Sequence, residues 1–213
     1  MTDDPLYDPD CRRCARLAGF LRAVRVRHPE YWARPVPSFG CARPRILILG
    51  LAPGLHGANR TGRPFTGDHA GILLYRTLHE AGLASRAVSL TRDDGLRLRN
   101  SRIVNAVKCV PPQNKPTGAE IRSCNRFLRA ELEQLTQVRV VLALGRIAHE
   151  AFVQARGLKK SGFPFGHGRE HALAEGRTLI DSYHCSRYNT STGRLTESMF
   201  RSVVARAVAL ANG

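Results

Sequence analysis

Two pairs of cysteines constrain this chain more than any other feature: Cys11-x2-Cys14 near the amino terminus and Cys109-x14-Cys124 near the middle. Two residues between thiols let both reach one metal centre, and a distant second pair can complete a tetrathiolate set around zinc or an iron–sulfur cluster. Such a staple ties the start of the chain to its centre. The two pairs bracket Gly50-Leu-Ala-Pro-Gly54, a glycine- and proline-rich loop directly after an apolar run. The arrangement suggests a metal-stapled α/β enzyme that handles nucleic acid.

Composition narrows the class. At 213 residues and 43% hydrophobic content, the sequence predicts one domain over residues 1–213 with a proper core. The formal net charge of +16 makes polyanions the expected partners, nucleic acid ahead of a membrane surface. Lysine occurs only at 108, 115, 159 and 160, so arginine carries nearly all the positive charge. No amino-terminal apolar run reads as a signal peptide, and no stretch of about 18 apolar residues is long enough to span a bilayer, so the expected location is cytoplasmic. In a reducing compartment the CxxC points to metal or redox chemistry rather than a disulfide. Cys41 and Cys185 lack partners at ligand spacing and read as ordinary small side chains.

Apolar residues at helical spacing predict a helix over 12–28, with Cys11 and Cys14 at its start, and another over 70–82 that Gly82 ends. Pro29 to Pro44 reads as loop. Arg45 to Gly50 reads as a buried parallel strand. Leu51 to Asp68 is a long Gly-, Asn- and Thr-containing loop, a length that in compact domains usually signals function. Arg86 to Leu90 and Ser101 to Val110 read as strand material, Val138 to Leu144 as a third strand and Thr178 to His184 as a fourth. Thr117 and Glu120 form a capping box for the helix carrying Cys124. A closing amphipathic helix runs to about Leu210. Strands alternating with helices imply a parallel sheet covered on both faces, whose sites collect at the carboxyl ends of the strands.

Three polar loops leave such strand ends: Gly50 to Asp68, Asn105 to Lys115, and His184 to Thr196. The first contains Gly57-x4-Gly62-Arg63-Pro64, which is similar to a phosphate-binding P-loop but lacks its Lys and Ser/Thr. A zinc-bearing nucleotide hydrolase rests on that partial match alone. The third offers hydroxyls, amides and a guanidinium suited to phosphate contacts.

Together, Gly50-Leu-Ala-Pro-Gly-Leu-His-Gly-Ala-Asn-Arg-Thr-Gly-Arg-Pro-Phe-Thr-Gly-Asp68, Asn105-Ala-Val-Lys-Cys-Val-Pro-Pro-Gln-Asn-Lys115 and His184-x-Ser-Arg-x-Asn-Thr-x-Thr-Gly-Arg-Leu-Thr196 resemble the iron–sulfur uracil-DNA glycosylases, most closely the family 5, or type b, branch. With the cysteine spacing the resemblance covers most of the chain. It implies a three-layer α/β/α sandwich on a four-stranded parallel sheet. It further implies a structural 4Fe-4S cluster on Cys11, Cys14, Cys109 and Cys124, and monofunctional hydrolysis of uracil, with hypoxanthine and xanthine as further substrates, from DNA in base excision repair. The expected protein is a monomer acting on DNA that contains deaminated bases.

Residue roles follow from that resemblance. Asp68 is the only carboxylate of the first loop and would stabilise the cationic sugar, a role made necessary by Ala52, which stands where other branches carry an acidic or polar residue. Asp68 also sits where a helix N-cap belongs. His184 resembles the histidine that donates to the leaving base, and Asn114 the loop asparagine that helps position water or phosphate. Asn105, where this branch often has a small residue, would read uracil through its paired donor and acceptor. Phe65 would stack on the extruded base, with Gly50 and Ala52 lining its seat, and Leu51 and Leu55 helping to set the pocket volume. Arg60, Lys115, Ser186 and Arg187 would contact phosphates. Cys185 replaces the usual proline after the histidine, which predicts a looser loop. A non-catalytic iron–sulfur damage-sensing module on the same fold is the competing function.

Overall fold

The architecture is that of a computed structural model, which describes residues 6–213; the first five residues of the expected domain lie outside the described residues. The chain runs through α1 (Ala15–Arg27), β1 (Phe39–Gly40), β2 (Ile46–Gly50), α2 (Ala58–Thr61), α3 (His69–Glu80) and β3 (Ser101–Asn105). It continues through α4 (Gly118–Gln134), β4 (Val140–Leu144), α5 (Arg146–Ala155), β5 (Glu170–Ala172), β6 (Thr178–Ser182), α6 (Arg187–Ser191) and α7 (Glu197–Asn212).

The sheet order is β1-β3-β2-β4-β6-β5. The inner four strands are parallel, as expected, in the registers Ile48↔Ile103, Ile48↔Leu142 and Leu142↔Ile180. Two short antiparallel edge strands, β1 and β5, extend the sheet to six. They escape a pattern reading because two or three residues cannot establish an alternation.

Every residue of β2 is buried, and the side-chain alternation of a strand divides them between two cores. Ile46 and Ile48 face α3 and α7, with Leu74, Leu78, Phe200 and Val204. Leu47 and Leu49 face α4 and α5, with Leu128, Leu132 and Phe152. Three layers result, because a β-strand apolar on both faces must be covered on both. Burial of each such side chain contributes about 1.5–3 kcal/mol. A third, smaller cluster joins α1 through Leu17 and Leu21 to Val107, Cys109 and Val110.

Several boundaries differ from the sequence expectation. Residues 86–90 form no strand, and the third of the four inner strands starts at Val140 rather than Val138. Strand β3 stops at Asn105, where the chain turns toward the cysteines. The supposedly unstructured first loop contains α2, and the third contains α6. The Thr117–Glu120 capping box is present, with both reciprocal hydrogen bonds made. Cys14 is the N-cap of α1, and Cys11 lies in the turn before it.

Candidate active site

The carboxyl ends of β2, β3 and β6 release the three polar loops around one cleft of about 500 Å3. Asp68, His184, Asn105, Phe65, Asn114 and Ala52 all line it, as do Ser186 and Arg187. Parallel strands place successive loops on one edge, so residues as distant in sequence as Asp68, Asn105 and His184 meet.

Asp68 caps α3: its Oδ1 accepts the Gly71 N–H at 3.0 Å. The rest of the carboxyl group leans over Gly57, where a Cβ would come within 2.6 Å of the Asp68 Cβ, so this approach requires glycine. Burial pushes the Asp68 carboxyl above the usual carboxylate range, partly offset by the Gly71 and Ala70 N–H groups. No cation is hydrogen-bonded or ion-paired to it among the described residues. The carboxylate is therefore held by dipoles and left uncompensated toward the cleft.

His184 follows the end of β6 with its ring stacked near Phe65, centroids 5.9 Å apart and planes inclined by 28°. Burial alone lowers its pKa to about 4, so the imidazole is neutral at physiological pH and has one N–H to donate. Gly145 makes room for it, since a Cβ there would lie 3.2 Å from the His184 Cβ. Asn189 donates to the His184 carbonyl at 2.8 Å, and Ser186 caps α6. Cys185 is completely buried in the core beneath. The looser loop expected from the missing proline is thus countered by an apolar anchor and two hydrogen-bonding side chains.

Phe65 adopts a left-handed backbone, φ 52°, uncommon for a bulky residue. That turn lays its ring against Gly50, where a Cβ would come within 2.7 Å of the ring and closer still to the Asn105 oxygen. Gly50 is buried beneath Phe65 and Asn105, which line the cleft. Its lack of a side chain is what lets Phe65 and Asn105 approach. Asn105 is 3% exposed, and its Oδ1 has no hydrogen-bond partner, an expensive state for a buried acceptor unless a ligand donates to it.

Asn114 reaches the cleft from an exposed turn, with φ 57° there and 56° at Gln113. Arg60 and Lys115 are exposed and lie outside the cleft lining. Arg60 donates to the His56 carbonyl at 2.8 Å, which holds its guanidinium alongside α2. His56 and His69 also line the cleft and were not singled out in the sequence. Tyr31 pairs with His56 Nδ1 at 2.8 Å, and His69 Nε2 with Thr190 at 3.0 Å, the latter bridging the first and third loops. Only contacts across the sequence reveal these two histidines.

Cys11, Cys14, Cys109 and Cys124 line one small apolar hollow between α1, α4 and the segment after β3. The Lys108 N–H donates to Cys124 Sγ at 3.3 Å, a bond suited to a thiolate. Among the described residues the one group of three His, Cys, Asp or Glu donor atoms within 4.8 Å of one another is His149, His171 and Asp181.

The family model for the uracil DNA glycosylase superfamily matches residues 37–207. This chain belongs to that superfamily. It is 53% identical over 206 residues to a type-5 uracil-DNA glycosylase of Thermus thermophilus, covering 94% of each chain. A type-5 enzyme of Pyrobaculum aerophilum is 42% identical over 204 residues, covering 94% of this chain and 88% of the relative. A type-4 enzyme of Thermotoga maritima is 34% identical over 143 residues, covering 67% and 65%. The superfamily assignment agrees with a cleft at the carboxyl ends of the strands, and the partial P-loop has no role in it: Arg63, inside that motif, is buried and ion-paired to Asp94 at 2.6 Å rather than free for phosphate.

Proposed function

We propose that this protein hydrolyses the N-glycosidic bond of uracil in DNA and leaves an abasic site for base excision repair. The observation that carries the reading is the meeting of an uncompensated carboxylate, a neutral imidazole and an orphaned amide oxygen in one cleft of nucleotide size. The target nucleotide must leave the stack to enter such a cleft. Phe65 then stacks on the base, and Asn105 Oδ1 accepts from uracil N3–H while its amide donates to O4. Cytosine has no N3–H and would leave the orphan unmet.

As the bond between C1′ and N1 lengthens, its electron pair moves to the base and positive charge grows on the sugar. Asp68 stabilises that charge and accepts a proton from the water that bonds to C1′, with Asn114 helping to orient the water. The His184 N–H donates to the carbonyl oxygen carrying the departing negative charge. Neutral imidazole suits this donor role because it need not surrender its proton. No lysine lies in the first or third loop to form a Schiff base, so the reaction stops at base release. Deaminated purines, hypoxanthine and xanthine, fall within the same substrate class.

The four cysteines line one hollow, and their number and donor chemistry fit a 4Fe-4S cluster, the group that the resemblance favours over zinc. When bound, the cluster supplies a covalent staple between α1, the segment after β3 and α4. Ser186 and Arg187, which line the cleft, and the exposed Arg60 and Lys115 would take phosphates. No helix among the described residues is long and apolar enough to cross a membrane. The reading includes a cytoplasmic monomer that forms one domain. The test is release of free uracil from a uracil-containing oligonucleotide, with a panel of other damaged bases beside it. Asp68→Ala should abolish release while DNA binding persists; binding without release by the wild type would instead leave a damage-sensing module.

A further inference from the structure

A second hollow, of about 310 Å3, adjoins the cleft, with Leu51 and His184 as the shared wall. Its lining combines two aromatic rings with two guanidinium groups. Arg146 lies over the Phe165 ring at 5.4 Å, and Arg194 over the Tyr183 ring at 4.7 Å. Among the described residues neither guanidinium has a carboxylate or carbonyl partner. Their other neighbours are the uncapped amino end of α5, where Gly145 provides no capping side chain.

The rings are firmly carried. Phe165 and Tyr183 pack at 6.1 Å, and Tyr183 stacks on His167 at 5.0 Å and 18°. The 163–167 loop that presents Phe165 and His167 is fastened to a buried pair, His149 Nδ1 lying 2.7 Å from Asp181 Oδ1. His149 Nε2 faces the Phe163 carbonyl at 2.8 Å, and the Gly166 N–H donates to Asp181 Oδ2 at 3.2 Å. Both ring nitrogens of His149 face acceptors, so it carries both protons. Burial works against that charge, but Asp181 prevails and holds the His149 pKa above its ordinary value. Aromatic faces and guanidinium planes on a fixed platform are what unstacked bases bind to, and free cations beside a helix amino end suit a phosphodiester.

We propose that this hollow seats a second nucleotide, the immediate neighbour of the excised one in the same strand, with its base unstacked against the guanidinium planes of Arg146 and Arg194, which the Phe165 and Tyr183 rings back. The linking phosphate would lie toward Arg146, Arg194 and the amino end of α5. The inference rests on the excision reading and adds to it a flanking-base site, with the consequence that the enzyme opens two adjacent nucleotides rather than one.

The test uses the full-length holoenzyme and oligonucleotides bearing uracil beside either 2-aminopurine or a base-free tetrahydrofuran spacer, placed 5′ or 3′. On one side, binding should raise 2-aminopurine fluorescence, and the spacer should lower kcat/KM by about five- to a hundredfold, the range expected for one lost stacked base. Phe165→Leu keeps apolar volume but removes the ring, and should bring the base-to-spacer ratio close to one. Arg194→Gln, at an exposed position, should weaken the fluorescence change without risk to folding. Unchanged fluorescence and a spacer effect under twofold on both sides would overturn the second seat. Failure to release uracil from any strand would overturn the excision reading instead, and the fluorescence arm would still report on the hollow.

Discussion

Two carboxylates, one half-buried in the cleft and one fully buried on the flank that supports the cysteines, are treated in opposite ways. Glu131, on α4, is fully enclosed. Its oxygens receive Arg102 at 2.9 Å, Lys108 at 3.1 Å and the Ser38 hydroxyl at 2.7 Å. Burial alone would raise its pKa, but Lys108, Ser38 and Arg102 outweigh burial and hold it below the ordinary range. Asp68 has no such cations, and burial prevails. A carboxylate surrounded by cations is spent on structure, whereas one held only by backbone dipoles keeps its negative charge available to a cation that appears during reaction.

The sharpest way to break the comparison is to remove Glu131. Glu131→Ala leaves Lys108 and Arg102 without their partner in the interior and should cost about 3–5 kcal/mol of stability, read as a lowered Tm. Because Lys108 neighbours Cys109 and its N–H bonds to Cys124, we expect iron content to fall with it, while uracil release per iron-loaded molecule stays near wild type. Loss of release at full iron loading would show that the flank is not merely structural.

Asp68→Asn reverses the expected observables: about a hundred- to a thousandfold slower single-turnover release, from losing one charge aimed at the transition state, with little change in Tm because an asparagine still caps α3. A smaller effect follows at Asn105. Asn105→Ala should reduce the preference for uracil over cytosine by about tenfold, consistent with the 1–3 kcal/mol at stake when a buried polar group loses its partner. Unchanged selectivity would remove Asn105 from base reading.

The most modest effect is on pH. Reaction needs ionised Asp68, so the rate should fall on the acid side at a pH above the ordinary aspartate range, and this limb should vanish in Asp68→Asn. For stability the two groups run oppositely. The raised Asp68 contributes stability below its ordinary pKa, which is lost as pH rises through the raised value. The lowered His184 contributes stability above its ordinary pKa near 6.5, lost as pH falls toward about 4. A His184→Gln variant should therefore lose less stability than wild type between pH 6.5 and 4, measured by denaturant unfolding.

Much of the site is legible in the sequence because strand-end loops in a parallel sheet must share an edge. Asp68, His184 and Phe65 could be placed together from the order of strands, and the N-cap geometry of Asp68 from the helical run that follows it. The role of Gly50 was not legible: a glycine at a strand end reads as a lining residue, and only the packing shows it buried beneath Phe65 and Asn105. The same is true of His56, His69 and the Arg146–Phe165–Tyr183–Arg194 hollow, whose members come from separate elements with no shared spacing.

The sequence by itself determined the parallel α/β layout, the paired cysteine spacing and the three loops, since apolar periodicity, cysteine spacing and loop length are local or pairwise properties. Only the tertiary structure decided the charge states. Whether a carboxylate is compensated, an imidazole neutral or an amide oxygen left without a donor depends on what the rest of the chain packs around it, and desolvation is a property of the surroundings rather than of the residue.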